Sequence, residues 1–61
     1  MPIITVKMLA GRTDDQKRAM VKEVTEAVSR TVGAPPENIS IIIEEMTHNH
    51  YAKSGILHQD Q

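Results

Sequence analysis

The sequence lacks cysteine, phenylalanine and tryptophan, and Tyr51 is its only aromatic residue. Without cysteine, neither a disulfide nor a thiolate metal site can stabilise the fold. A chain of 61 residues buries too little apolar surface to be comfortably stable alone, and such chains usually depend on a covalent or metal staple or on oligomerisation. We therefore expect one small domain, residues 1–61, that assembles as a homo-oligomer.

Strong charge of either sign is also missing, because the formal net charge is −1 and the basic residues are scattered. Nucleic-acid-binding proteins normally carry a basic face, often with stacking aromatic residues. The apolar runs are too short to cross a bilayer, and no signal-peptide pattern opens the sequence. We expect no nucleic-acid partner, no membrane partner and, by default, a cytoplasmic location.

The first half of the sequence predicts a strand followed by a helix. Residues 2–8 are rich in β-branched side chains and alternate in polarity, which indicates a strand that ends by Gly11. Thr13 and Gln16 then form a capping-box pattern, which predicts a helix over 14–32. An apolar stripe follows the helical period: Met20, Val21, Val24, Ala27, Val28 and Val32.

A second strand is predicted at 39–44, after Gly33 and the prolines at 35–36 end the helix. Its isoleucines occupy both faces, which indicates that both faces are covered. Strand, long crossover and strand predict two parallel strands with the helix packed on one side. The other side then needs a partner, and another subunit is the obvious one.

The remaining segment predicts short turns and little regular structure. Turns are expected at 47–50 and at Ser54-Gly55, with a short strand at 56–57. We expect the tail, residues 58–61, to be loose. The predicted fold is α+β: a single β-α-β unit with two parallel strands, one amphipathic helix and a short C-terminal hairpin.

Pro2 is the first candidate for chemistry. Removal of Met1 would turn it into a secondary amine, which can accept a proton, unlike any internal proline. Free α-amino groups have a pKa of about 7.7–8.0, and an apolar pocket or a neighbouring cation lowers it. A neutral amine is a usable general base. The residues alone leave open the alternative that Pro2 simply begins a strand.

Arg12 is the second candidate, at the turn between strand and helix. A guanidinium there can grip a carboxylate through two parallel hydrogen bonds. On spacing alone, a solvated loop arginine is the favoured alternative.

Other polar groups offer weaker sites. His48, His50 and His58 provide no third ligand at a helpful spacing, so no metal site is predicted. Glu44 and Glu45 are adjacent in a strand and point to opposite faces, which argues against a shared acid–base site. The methionines 8, 20 and 46 are interpreted as core residues.

Taken in order, these residues resemble the 4-oxalocrotonate tautomerase family, also called 2-hydroxymuconate tautomerases. The match covers nearly the whole chain without gaps. Its segments are Met1-Pro2-Ile3, Leu9-x-Gly11-Arg12-Thr13-x-x-Gln16-Lys17, Val24-Thr25-Glu26-Ala27, Gly33-Ala34-Pro35, Ile43-Glu44-Glu45-Met46 and His50-Tyr51-x-x-x-Gly55.

The resemblance implies a hexamer built as a trimer of dimers, and a cofactor-free proton shift between the enol and keto forms of a small unsaturated 2-oxo acid. It implies that Pro2 is the base and later the acid. Arg12 would bind the distal carboxylate of the substrate, and Tyr51 would replace the phenylalanine that lines the family's pocket.

Ser40 departs from the family pattern. The best-studied members have an arginine on the second strand that reaches a neighbouring active site and binds the 2-oxo and carboxylate end of the substrate. A serine hydroxyl provides a hydrogen bond but no charged clamp. We expect weaker dicarboxylate binding or a different physiological substrate, unless Lys7 or Lys53 replaces the missing cation.

Two alternative functions stay open at this point. The same scaffold could hydrate or dehalogenate an unsaturated acid, which needs a group that activates water. It could also be a non-catalytic oligomeric module whose sheet serves only assembly or partner binding.

Overall fold

A computed structural model describes every residue from Met1 to Gln61 and confirms the β-α-β architecture. The chain forms strand β1, helix α1, strand β2 and a hairpin of two short strands, β3 and β4. Their bounds are Ile3–Leu9 for β1, Asp14–Val32 for α1, Ser40–Met46 for β2, Ala52–Lys53 for β3 and Ile56–Leu57 for β4. Single 3₁₀ turns occur at Pro36–Asn38 and His58–Asp60.

Helix α1 begins and ends where its capping residues predict. The Thr13 hydroxyl accepts a hydrogen bond from the Gln16 backbone N–H at 3.1 Å, and the Gln16 side chain accepts one from the Thr13 N–H at 2.9 Å. This reciprocal pair satisfies two backbone donors that the first turn leaves unpaired. At the other end, Gly33 adopts the left-handed conformation, with φ of 78°, and donates to the Ser29 carbonyl.

Strands β1 and β2 pair in parallel, with Ile3 opposite Ser40 and Leu9 opposite Met46. Alternate side chains therefore lie on opposite faces of the two-stranded sheet. The face that carries Val6 and Ile43 is half-buried beneath α1. The opposite face, which we call the open face, has no covering element within the chain. Its side chains include Ile3, Thr5, Lys7, Ser40, Ile42 and Glu44.

The C-terminal segment forms a tight hairpin, and the prediction of a loose tail is wrong. Ser54 and Gly55 both have positive φ, 55° and 78°, as a two-residue hairpin turn with a right-handed strand twist requires. Hydrogen bonds hold the tail against the rest of the chain. The Gln61 side chain donates to the Ile56 carbonyl at 3.2 Å, and the Gln59 backbone N–H donates to the His48 carbonyl, also at 3.2 Å.

The isolated chain has no core of its own, because none of its 61 residues is buried. Its radius of gyration is 14.5 Å, whereas a compact domain of this length has a value of about 10.5 Å. On the open face, Ile3 is 61% exposed and Ile42 is 49% exposed. Val32 is 64% exposed at the end of α1, so its predicted place in the packed stripe is wrong for the single chain. None of the helices has the length and apolar character needed to cross a bilayer.

Candidate active site

Pro2 lies immediately before β1 and is fixed through its backbone. Its carbonyl accepts a hydrogen bond from the Ser40 backbone N–H at 3.0 Å, which extends the ladder between β1 and β2 by one step. Pro2 is half-buried, whereas Met1 lies outside the strand and is 85% exposed. The sheet therefore holds the Pro2 carbonyl through a bond that does not involve Met1.

Arg12 lies at the other end of β1 and lines a cleft between β1 and the first turns of α1. The cleft has a volume of about 220 Å³, and its walls are formed by Met8, Arg12, Gln16, Lys17 and Met20. Two methionines thus provide apolar surface, while one amide and two cations provide polar groups. Such a combination suits an organic anion with a short apolar chain.

The two cations of this cleft differ in their partners. Lys17 donates to the Glu45 carboxylate at 2.5 Å and lies 3.9 Å from Asp14, so its charge is compensated within the chain. The Arg12 guanidinium has no ion-pair or side-chain hydrogen-bond partner among the residues of the chain. Arg12 is therefore the uncompensated positive charge of the cleft.

Tyr51 lies on the same end of the sheet as Arg12, in the segment that follows β2. Its carbonyl accepts a hydrogen bond from the His58 N–H at 2.8 Å, and the rings of Tyr51 and His58 are 6.3 Å apart. His58 also meets His48 edge to face at 4.9 Å, and His48 Nε2 lies 3.5 Å from the Ala10 carbonyl. These contacts join the C-terminal segment to the turn that carries Arg12.

The candidate residues are thus divided between two ends of the sheet. Pro2 and Ser40 lie where β1 and β2 begin, and Arg12 and Tyr51 lie near where they end. Six residue steps separate Ile3 from Leu9, which corresponds to about 20 Å. Ser40 approaches Pro2 through its backbone, while its side chain lies with Ile3 on the open face. No single chain brings all four candidates together.

The alternative groups named from the sequence are engaged in structural contacts. Glu44 lies 3.9 Å from Lys7 on the open face, and Glu45 contacts Lys17 from the helix side. This confirms that the two carboxylates point to opposite faces and form no pair. No group of three histidine, aspartate or glutamate side chains gathers as metal ligands would.

Sequence reasoning missed the walls of the cleft. Gln16 was interpreted only as a capping residue, and Met8 and Met20 only as core residues. Lys17 had no assigned role. The signal that could have found Gln16 and Lys17 is their helical spacing from Met20, because residues three or four positions apart on a helix lie on neighbouring surface.

Comparison with known proteins gives concordant results. A family model described as tautomerase enzyme matches residues 2–60. The chain is 60% identical over 55 residues to the 2-hydroxymuconate tautomerase of Bacillus subtilis, a match that covers 90% of this chain and 89% of that protein.

Solved structures agree with the family model. A crystal structure of a 4-oxalocrotonate tautomerase homologue has a TM-score of 0.95 and 55% identity, and the match covers 98% of each chain. A heterohexameric 4-oxalocrotonate tautomerase from Chloroflexus aurantiacus has a TM-score of 0.93 and 25% identity, covering 98% of this chain and 97% of that one.

Proposed function

The chain belongs to the tautomerase enzyme family and is therefore an isomerase, and from that premise we propose which reaction it catalyses and with which residues. The reaction is a cofactor-free interconversion of the enol and keto forms of a small unsaturated 2-oxo acid. The amine of Pro2, freed by removal of Met1, is the base and then the acid. The substrate resembles 2-hydroxymuconate, the compound for which the Bacillus subtilis relative is named.

The placement of Pro2 is the observation that carries the proposal. Its carbonyl accepts a hydrogen bond from the Ser40 backbone N–H at 3.0 Å, and this bond does not depend on the residue before Pro2. Met1 is 85% exposed and lies outside β1, so its removal leaves the sheet intact. A secondary amine held by a rigid strand is a preorganised group for proton transfer.

In the proposed reaction, neutral Pro2 takes the proton of the 2-hydroxyl group. The electron pair moves through the conjugated double bonds, a carbonyl forms at carbon 2, and the ammonium of Pro2 returns the proton to a distal carbon. Arg12 binds the distal carboxylate and attracts the electron density that moves toward it. An uncompensated cation at that place stabilises the charge that develops in the transition state.

The separation of the candidate residues supports assembly as part of the function. Because Pro2 and Arg12 lie at opposite ends of one strand, a complete site takes Pro2 from one subunit and Arg12 from another. The exposed apolar side chains of the open face and the absence of buried residues favour the same conclusion. We propose a homohexamer, supported by likeness to the heterohexamer from Chloroflexus aurantiacus.

Ser40 supports a substrate range that differs from that of family members with an arginine on this strand. Its hydroxyl donates one neutral hydrogen bond, and Lys7, the nearest cation by register on the open face, is paired with Glu44. The 2-oxo and carboxylate end of the substrate is therefore held with less charge. Both 2-hydroxymuconate and the monocarboxylate enol phenylenolpyruvate have this end, so both lose the charged contact, and only 2-hydroxymuconate has a second carboxylate for Arg12 to bind.

The test is ketonisation of 2-hydroxymuconate and phenylenolpyruvate, followed spectroscopically with native protein and Pro2→Ala, each with intact mass showing loss of Met1. The proposal predicts turnover of at least one substrate by the native protein and a large loss in Pro2→Ala. Absence of activity toward both, with Met1 removed and the oligomer intact, would refute it.

A further inference from the structure

The cleft around Arg12 contains a second group suited to the same ligand, the side-chain amide of Gln16. We propose that Gln16 is a substrate-binding residue whose amide NH₂ donates to the carboxylate that Arg12 holds. This inference rests on the proposed function, since it concerns how the distal end of the same substrate is recognised. It assigns Gln16 a role beyond capping the helix.

The capping box fixes which end of the amide is available. A backbone N–H only donates, so the contact of 2.9 Å from the Thr13 nitrogen to Gln16 must involve the carbonyl oxygen Oε1. The Gln16 backbone N–H is in turn held by the Thr13 hydroxyl at 3.1 Å. Gln16 is thereby anchored through its side-chain oxygen and through its backbone N–H. The side-chain NH₂ group has no hydrogen-bond partner within the chain.

Gln16, which carries the free NH₂ group, lines the same cleft as Arg12, whose guanidinium is uncompensated. A carboxylate has more acceptor sites than one guanidinium fork fills, so a neighbouring amide donor finds a vacant lone pair. Lys17 is the other cation of the wall, but its contact with Glu45 at 2.5 Å engages it elsewhere. The ligand set is therefore Arg12 with Gln16.

The remaining walls suit the rest of such a substrate. Met8 and Met20 line the same cleft and offer apolar, adaptable surface to a short carbon chain. A substrate with a distal carboxylate meets both polar groups. A substrate with an apolar distal end meets only the methionines and leaves Arg12 and Gln16 in water.

The first variant is Gln16→Glu, which keeps the cap because glutamate also serves at this position of a capping box. It removes the NH₂ donor and adds a negative charge. We expect the KM for 2-hydroxymuconate to rise at least about tenfold, with a smaller effect on kcat, because the lost contact exists before and during reaction. The KM for phenylenolpyruvate, which has no distal carboxylate, should rise less than the KM for 2-hydroxymuconate. Gln59→Glu adds the same charge in the C-terminal tail and is the control.

The second variant, Gln16→Met, separates the donor from the charge. It is neutral and long, and the bond from the Gln16 backbone N–H to the Thr13 hydroxyl is retained. Loss of a hydrogen bond to a charged group predicts a rise of about tenfold in KM for 2-hydroxymuconate. If Gln16→Glu weakens binding and Gln16→Met does not, the added charge is the cause and the role of the amide is overturned.

Calorimetric binding of muconate, which has both carboxylates but no 2-hydroxyl to react, separates this inference from the proposed function. Weaker binding to both Gln16 variants than to native protein and Gln59→Glu supports the inference, even if the native protein proves unable to ketonise 2-hydroxymuconate. Equal binding to native protein and both variants overturns it, even if the tautomerase activity is established. No binding to the native protein also overturns it.

Discussion

Arg12→Met is the substitution that tests the anion cleft most simply. Methionine keeps an unbranched side chain of similar length beside Met8 and Met20, and removes only the guanidinium. Because that guanidinium has no partner within the chain, its loss leaves no carboxylate or carbonyl unpaired. We expect the melting temperature and the oligomeric state to be unchanged.

The expected loss of activity follows from the contact that we propose between Arg12 and the substrate. Hydrogen bonds to charged groups contribute about 1.5–3 kcal/mol each. Arg12 is exposed in the single chain, so solvent screening favours the lower part of that range. A loss of about 2 kcal/mol corresponds to about a 30-fold decrease in kcat/KM, since each 1.36 kcal/mol is a factor of ten.

The assay is steady-state ketonisation of 2-hydroxymuconate, with Arg18→Met as the matched control. Arg18 lies in the second turn of α1 and pairs with Asp15 on an exposed face at 2.7 Å. Arg18→Met should retain native kcat/KM. Equal activities of native protein and Arg12→Met, or equal losses in both variants, would show that the cleft does not hold the distal carboxylate.

Two further predictions concern the fold and the assembly. Thr13→Ala removes the hydroxyl that accepts from Gln16 and should lower the free energy of unfolding by about 1 kcal/mol, measured by thermal unfolding at fixed protein concentration. The control is Thr25→Ala in the middle of α1, and equal stability of the two variants would contradict the capping argument. Ile42→Lys places a charge on the open face, where Ile42 is 49% exposed in the single chain, and should shift the oligomer toward smaller species in sedimentation velocity. The control, Thr31→Lys at an exposed position of α1, should leave the oligomer unchanged. An unchanged oligomer in Ile42→Lys would mean that the open face is not an interface.

Local signals explain how well the helix could be predicted. The Thr13–Gln16 cap and the left-handed Gly33 are recognisable within a few residues of sequence, and the bounds of α1 agree with them. The second strand was predicted two residues short at its end. Glu45 and Met46 continue β2 because they pair with Met8 and Leu9, and because Lys17 of the helix compensates the charge of Glu45. Those contacts link distant parts of the chain and leave no local pattern.

The candidate site was predictable only in its parts. Pro2 and Arg12 are predicted as site residues because their residue types suit the proposed chemistry, one as an amine after removal of Met1 and one as a cation at a turn. The cleft was not predicted, because the capping box already explains Gln16 and no local pattern marks Lys17. The division of the site between two ends of a sheet follows from strand direction and length.

The role of a free Pro2 amine is the central claim, and the most direct measurement compares the same chain before and after removal of Met1. Protein that retains Met1 would be purified and treated with a methionine aminopeptidase, while intact mass and ketonisation of 2-hydroxymuconate or phenylenolpyruvate are followed together. The account predicts that activity is nearly absent at first and rises in proportion to the fraction of chains that begin with Pro2, because an amide nitrogen cannot accept the proton. Full activity while Met1 is still attached would contradict it.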